Sequence, residues 1–260
     1  IILMIIVTKI LQKIDNNNQD LLDAANNGDY ISCFKISKIL IEKTPSDIEH
    51  GIYYLMKAVD SEYGIAILYY SELLHYGTII PKNDKKAKKY LKTAIKKGIP
   101  GAYKSYSKFY FDSKEFKKGL KILQKCIKNN DSKSMIYLSQ LYQDGIIVNK
   151  DNTQAFEILK KAHELNDPKA TYLLAEAYRK GSICKENIEE AVLLHKKNAD
   201  NGNIYSSFVY AKMLEKGKVS KKNIQESAKY YEIAANQGNS EACFRLSQIL
   251  MNGGENIERN

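Results

Sequence analysis

The sequence contains no tryptophan and only four each of proline, cysteine and histidine among its 260 residues. Cys33, Cys126, Cys184 and Cys243 lie far apart and form no CxxC pair, which argues against a disulfide framework and against a cysteine-based metal site. Four prolines and fourteen glycines are too few for a chain rich in linkers. These shortages favour an intracellular protein with reduced thiols and continuous secondary structure.

Motifs for catalysis are also missing. The histidines are scattered, and the sequence contains no HExxH, no GxSxG and no phosphate-binding GxxxxGK pattern. Cys184 beside Lys185 is a lone thiol without a positioned base, so an enzyme is only the second hypothesis. We therefore predict a non-catalytic protein that uses no metal and no cofactor.

Long apolar runs are absent as well. The N-terminal run, Ile1–Val7, has seven residues, whereas a membrane-spanning helix needs roughly twenty. No basic segment precedes it and no small-residue cleavage site follows it, so we expect the buried face of a first helix, with a signal anchor as the alternative. The expected location is cytoplasmic, without a membrane partner. For a virus or an intracellular bacterium this means the host cytoplasm.

What the chain does contain is a repeat of 36 residues, most visible in the spacing of Gly145, Gly181, Gly217 and Gly253. Within each unit, small and large residues recur at i, i+4, i+5 and i+8, which places them on one face of a helix. The small residue that opens this face is Ala66, Ala102, Ser134, Ala170, Ser206 or Ala242.

Each unit is predicted to form two helices. Asp or Asn precedes both helices, where its side chain accepts hydrogen bonds from free N–H groups, and Gly or Asn ends the second helix. The second helix has small residues that let neighbouring helices approach, and this face closes near Ala94, Ala162, Ala199 and Ala235.

These patterns predict an all-α fold, an α/α superhelical solenoid of antiparallel helix pairs. We expect residues 1–64 to be divergent N-terminal helices of the same solenoid, including helices at about Tyr30–Glu42 and Asp47–Ser61. Residues 65–260 are expected to form the regular repeats, with the last unit truncated after Gly253.

The segment Ala170–Gly181 shows the repeat best, with a small residue, then Leu and a small residue, then Tyr, then Gly. This order resembles the Sel-one-like repeat (SLR) family, a relative of the tetratricopeptide repeat. The resemblance extends from about Ile65 to Gly253 and, more weakly, over Asp20–Tyr63. The unit that starts at Ala102 departs from it, because it is four residues shorter between its helices.

The resemblance implies a protein–protein interaction scaffold or adaptor that binds a peptide or protein on its concave helical surface. In related tetratricopeptide arrays the first helix of each unit lines the groove, which here selects positions two and six after the small residue. The candidate partner-binding residues are Leu68, Glu72, Lys104, Lys108, Ile136, Gln140, Tyr172, Glu176, Phe208, Lys212, Phe244 and Gln248.

Two alternatives stay open. Tyr172, Phe208 and Phe244 are also explained as packing residues, since apolar residues at helical spacing usually belong to the core. The segment Lys82–Lys128 holds sixteen Lys and three acidic residues, with aromatic residues between them. This excess predicts, as an alternative function, binding of nucleic acid or an acidic partner through the basic face of residues 82–128, whereas charge alone is also explained by a solvated surface.

Overall fold

The computed structural model describes residues 19–43, 48–217 and 223–252, and every regular element within them is helical. The predictions about Ile1–Val7, Gly253 and the truncated last unit lie outside these residues. The described residues up to Ile122 form one compact unit, and those from Leu123 onward form a second. The division expected from the sequence, at residues 64 and 65, stays a prediction.

The helices follow the predicted order. The first unit contains α1 (residues 19–26), α2 (Tyr30–Lys43), α3 (Ile48–Asp60), α4 (Gly64–Tyr76), α5 (Asp84–Lys96), α6 (Ala102–Asp112) and all but the last residue of α7 (Phe116–Leu123). The second contains a 3₁₀ helix (Gln124–Cys126), α8 (Ser132–Asp144), α9 (Asn152–Glu164), α10 (Pro168–Lys180), α11 (Ile188–Asp200), α12 (Ile204–Glu215), α13 (Ile224–Asn236) and α14 (Ser240–Asn252).

Consecutive helices pack as pairs. In the second unit α8 packs with α9, α10 with α11 and α12 with α13. The two helices expected near the N-terminus are α2 and α3. The all-α fold class, a solenoid of antiparallel helix pairs, is therefore confirmed.

The predicted caps hold the helix ends. Asp131, Asp167 and Asn203 accept hydrogen bonds from backbone N–H groups in the first turns of α8, α10 and α12, at 3.2, 3.0 and 2.9 Å. Asn166 and Gly202, the predicted stops of α9 and α11, have φ angles of 58° and 79°. Because caps and stops fall at matching positions, the helices of successive units have nearly equal lengths.

A recurring hydrogen bond sets the path of the loop between the helices of a unit. The N–H of Asp151 donates to the carbonyl of Tyr142, and that of Asn187 donates to the carbonyl of Tyr178, both at 2.9 Å. Gly145 starts the first of these loops with φ of 69°, a conformation that glycine adopts without steric cost. The loop therefore returns the second helix to the same point on the first helix in both units.

Fully buried alanines lie where the paired helices meet. Ala155 and Ala162 on α9, and Ala170 and Ala175 on α10, have no exposed surface. Side chains this small favour helix axes near the lower end of the usual range of about 8–10 Å. The small residues read from the repeat thus position each helix against its neighbours.

The packing face of α13 differs from the prediction by one position. Ala234 is completely buried, whereas the predicted Ala235 is half-buried. Ala234 lies seven residues after the buried Ser227, which is close to two helical turns and therefore on the same face. Ala235 is rotated by about 100° from that face. Between Ser227 and Ala234, the large side chain that fills the core is Tyr231, which is completely buried. The adjacent Tyr230 is only half-buried.

Helix α11 carries polar residues at two of these core positions. His195 stands where α9 has Leu159, and Asn198 stands where α9 has Ala162. His195 is 0% exposed and Asn198 is 3% exposed. The Asn198 amide donates to the carbonyl of Pro168 at 2.9 Å and to Ser206 Oγ at 2.7 Å. Asn198 therefore joins α10, α11 and α12 through hydrogen bonds.

Candidate functional site

All twelve predicted partner-binding residues lie on the first helix of a unit, two on each of α4, α6, α8, α10, α12 and α14. Four of them, Tyr172 and Glu176 on α10 and Phe208 and Lys212 on α12, line one cavity of about 450 Å³. They meet because the 36-residue period places the same two positions on neighbouring helices.

Part of the wall of this cavity is apolar and open to solvent. The rings of Tyr172 and Tyr205 lie 5.7 Å apart, and those of Phe208 and Tyr231 lie 5.9 Å apart, measured between centroids. Met213 is buried in the wall beside them. Tyr205 is 61% exposed. This apolar surface is therefore accessible to a ligand from solvent.

The carboxylate of Glu176 is held by cations. Oε1 accepts a hydrogen bond from Arg179 Nε at 2.7 Å, Oε2 accepts one from Arg179 Nη2 at 2.8 Å, and Lys180 Nζ lies 2.8 Å from Oε2. Burial raises the pKa of Glu176, but the contacts of Arg179, His195 and Lys180 outweigh it and hold the pKa well below its usual range. Glu176 is therefore ionised at neutral pH, and its charge is balanced inside the site.

His195 lies behind this carboxylate. Its Nε2 atom is 3.3 Å from Glu176 Oε1, and its ring is 5.8 Å from the Tyr172 ring. The imidazole is completely buried, and neither of its nitrogens forms a hydrogen bond of good geometry with any described residue. The contact with Glu176 is thus a close electrostatic approach rather than a formed hydrogen bond. Burying a polar side chain without a hydrogen bond lowers the stability of the fold. The equivalent position of α9 holds the apolar Leu159, so this unfavourable burial distinguishes α11 from α9.

A second, smaller cavity continues the site towards α8. It has a volume of about 160 Å³, and its lining includes Ile136, Gln140 and Lys180. Glu176 lines both cavities, so the surface runs from α8 across α10 to α12. We call this surface the α8–α12 groove and define it by Ile136, Gln140, Tyr172, Glu176, Phe208 and Lys212.

Helix α14 meets the groove through its N-terminal end. Lys212 Nζ lies 3.6 Å from Glu241 Oε1 in the first turn of α14, and the cap residue Asn239 lines the larger cavity. The predicted residues of α14 lie farther along the helix. Phe244 is 58% exposed and Gln248 is half-buried, and neither is among the residues that line the two cavities.

In the first unit the corresponding positions enclose very little space. Glu72 and Lys108 line a space of about 10 Å³ between α4 and α6. Burial raises the pKa of Glu72, and the charges of Lys108 and Lys104 lower it only in part. Leu68 is half-buried against the core. A space of this size holds about one water molecule and is too small for a ligand.

Several residues that line the larger cavity were not predicted from the sequence, among them Arg179, Tyr205 and Lys216. Tyr205 lies three residues before Phe208, and Arg179 lies three residues after Glu176, so both extend the predicted stripe by one turn. Lys216 continues the stripe just past the end of α12. The three- and four-residue spacing on each helix was the signal that would have found them.

The basic face is concentrated on α5. Five of its lysines surround a shallow cleft of about 430 Å³: Lys85, Lys88, Lys89, Lys92 and Lys96. Most aromatic residues of the basic segment are unavailable to a ligand, since the buried ones are Tyr103, Tyr106, Phe109 and Phe111. Phe116 is the exposed exception, at 47%. The segment therefore presents charge with little aromatic surface for stacking bases.

Metal binding and thiol chemistry have little support among the described residues. Across the described ranges, no three His, Cys, Asp or Glu side chains are grouped so that they would hold a metal ion. Burial raises the pKa of the Cys184 thiol, which disfavours the nucleophilic thiolate at neutral pH. Among the described helices, none combines the length and hydrophobicity required to cross a membrane. The non-catalytic role and the cytoplasmic location stay predictions.

Comparison with protein families gives matches along much of the chain. The family model described as the Sel1 repeat matches residues 59–99, 132–167, 168–203, 205–239 and 240–260. The unmatched residues 100–131 include the short unit that starts at Ala102. No curated protein matches the chain.

Solved structures share the fold. A Sel1 repeat protein from Oxalobacter formigenes is 21% identical, with a TM-score of 0.57, over 90% of this chain and 80% of that protein. Protein 5086 of Pseudomonas aeruginosa (PA5086) is 14% identical, with a TM-score of 0.54, over 80% of this chain and 81% of that protein. At these identities the likeness concerns the fold alone.

Proposed function

The chain belongs to the Sel1 repeat family, whose members are generally non-catalytic protein-interaction scaffolds, and from this premise we propose that it binds a peptide or protein segment in the α8–α12 groove. The cavity of about 450 Å³ between α10 and α12 carries this proposal. Its lining combines open apolar surface with charged groups, and such a combination anchors a ligand and fixes its orientation.

Packing and binding are compatible roles for the aromatic residues of the groove. Phe208 packs against the buried Ala211 and Tyr231, yet it also lines the cavity. Tyr172 is half-buried and contacts the buried His195 on one side and the exposed Tyr205 on the other. Both rings therefore support the fold and also border the cavity, where a partner can contact them.

A peptide selection tests the proposal without knowledge of the natural partner. A random 12-residue library displayed on phage would be selected on the intact chain, and chosen peptides would be measured by fluorescence anisotropy. Tyr205→Ala removes apolar wall from the groove, whereas Leu193→Ala on α11 is a matched control. Both side chains are 61% exposed, and only Tyr205 lines the cavity.

We expect Tyr205→Ala to weaken binding about tenfold, the loss typical of an aromatic anchor, and Leu193→Ala to change it less than about twofold. Because both side chains are largely exposed, both variants should keep the fold, which circular dichroism checks. Peptides that bind the two variants equally well would place the interaction surface outside the groove.

The basic face is a second candidate, for nucleic acid or an acidic partner, favoured by the lysine-lined cleft on α5. Its test is the binding of a labelled single-stranded RNA to the intact chain at roughly 50 and 200 mM salt. Binding that falls with salt and is abolished by Lys85→Gln, Lys89→Gln and Lys92→Gln together would support it. Undetectable binding at the lower salt concentration would rule out nucleic acid as the ligand of this face.

A further inference from the structure

The charges around the larger cavity are unequal. Among its ten lining residues, Arg179, Lys212 and Lys216 are cationic and Glu176 alone is anionic. Both oxygens of Glu176 already accept hydrogen bonds from Arg179, and Lys180 adds a further contact. The only carboxylate in the lining is therefore committed within the protein.

Two of the cations remain available to a ligand. Lys212 is 38% exposed, and its partner Glu241 is 53% exposed, so their 3.6 Å ion pair lies in water and contributes little. Lys216 is exposed and forms no ion pair with any described residue. The two lysines are four residues apart, at the C-terminal end of α12, and lie along the same edge of the cavity.

Resting on the proposed function, we propose that the groove selects an acidic peptide segment. An aromatic or long aliphatic side chain of the segment enters between Tyr172, Tyr205 and Phe208, and a neighbouring Asp or Glu faces Lys212 and Lys216. A basic segment is disfavoured, because it would meet these two cations and find Glu176 already paired. Charge complementarity at the edge and apolar contact at the centre together define the class of partner.

The peptides obtained in the selection described above also test this inference. Their composition should show Asp or Glu within about four residues of an aromatic or aliphatic residue, the reach of one peptide turn. The double variant Lys212→Gln, Lys216→Gln should weaken their binding about tenfold at low salt, and raising the salt concentration should shrink the difference.

The matched control is Lys160→Gln, Lys161→Gln on α9. These lysines are exposed, lie outside both cavities and carry the same charge, so they report the effect of net charge alone. We expect the control to change binding less than about twofold. Equal losses in both double variants would mean that only the total charge matters, which would overturn the inference.

The outcomes separate the inference from the function on which it rests. Some selected peptides could lose affinity for Tyr205→Ala, yet lack acidic residues and bind the double variant Lys212→Gln, Lys216→Gln as tightly as the wild type. Such peptides would overturn the acidic class of ligand but would still support binding in the groove. A selection that yields no peptide dependent on Tyr205 would overturn both. Melting curves of each double variant confirm that affinity changes do not reflect unfolding.

Discussion

Replacing Glu176 with glutamine should destabilise the protein by about 1–2 kcal/mol at pH 7. Glutamine preserves the volume but removes the charge that Arg179 and Lys180 surround. Breaking a fully buried ion pair costs about 3–5 kcal/mol. Here Arg179 is 31% and Lys180 is 56% exposed, so water solvates both cations when the carboxylate is lost. The expected cost is therefore about 1–2 kcal/mol and not about 3–5 kcal/mol.

The loss must depend on pH in one direction. The pKa of Glu176 is lowered in the folded protein, from an ordinary value of 4.5. A carboxyl group with a lowered pKa contributes its stability above the unfolded-state pKa and loses it as the pH falls towards the folded-state pKa. The advantage of the wild type over Glu176→Gln should therefore be constant above about pH 5 and shrink progressively below it.

Urea unfolding followed by circular dichroism measures this difference at pH values from about 7 to about 3. The control is Glu157→Gln on α9, an exposed glutamate that forms no ion pair with the described residues. Its effect should be within about 0.5 kcal/mol at every pH. A Glu176→Gln penalty that is absent at pH 7, or that stays the same down to pH 3, would refute the cationic stabilisation of Glu176.

Three further predictions concern packing and thiol reactivity. Gly119→Ala should lower stability by about 2 kcal/mol, because a Cβ there would lie 2.6 Å from Phe111 Cδ1; an unchanged melting temperature would contradict this close approach. Iodoacetamide should label the exposed Cys243 before Cys126, whose burial raises its pKa to about 12; mass spectrometry showing early labelling of Cys126 would contradict this. His195→Leu should raise the melting temperature by about 2–4 °C, since leucine leaves no unpaired imidazole, and a decrease would show that the histidine stabilises the fold.

The helices were predictable because their signals are local. Asp131 and Asn203 cap α8 and α12 through hydrogen bonds to N–H groups three residues later, and such contacts need no knowledge of the rest of the fold. The register of α13 is not fixed by its own sequence, because Tyr230 and Tyr231 are adjacent and either could fill the buried position. Which of them is buried depends on how α13 packs against its neighbours, which its own sequence does not specify.

The groove was only partly predictable for the same reason. The period identified Tyr172 and Phe208, since each helix repeats the same face. It did not show that Arg179 turns back onto Glu176, because that contact depends on side-chain conformation. The basic segment shows the converse: charge and aromatic residues alternate in sequence, but the repeat buries Tyr106 in the core and leaves the lysines in solvent.

The polar residues of α11 connect stability to the proposed function. Asn198 satisfies its amide through Pro168 and Ser206, but His195 remains without a good hydrogen bond while lying 3.3 Å from Glu176. A side chain that costs stability in an otherwise regular repeat is typical of a functional site. If His195 supports the groove, His195→Leu should be more stable than the wild type and yet bind the selected peptides more weakly. Higher stability with unchanged affinity would show that His195 is only a tolerated packing residue and that the groove does not depend on it.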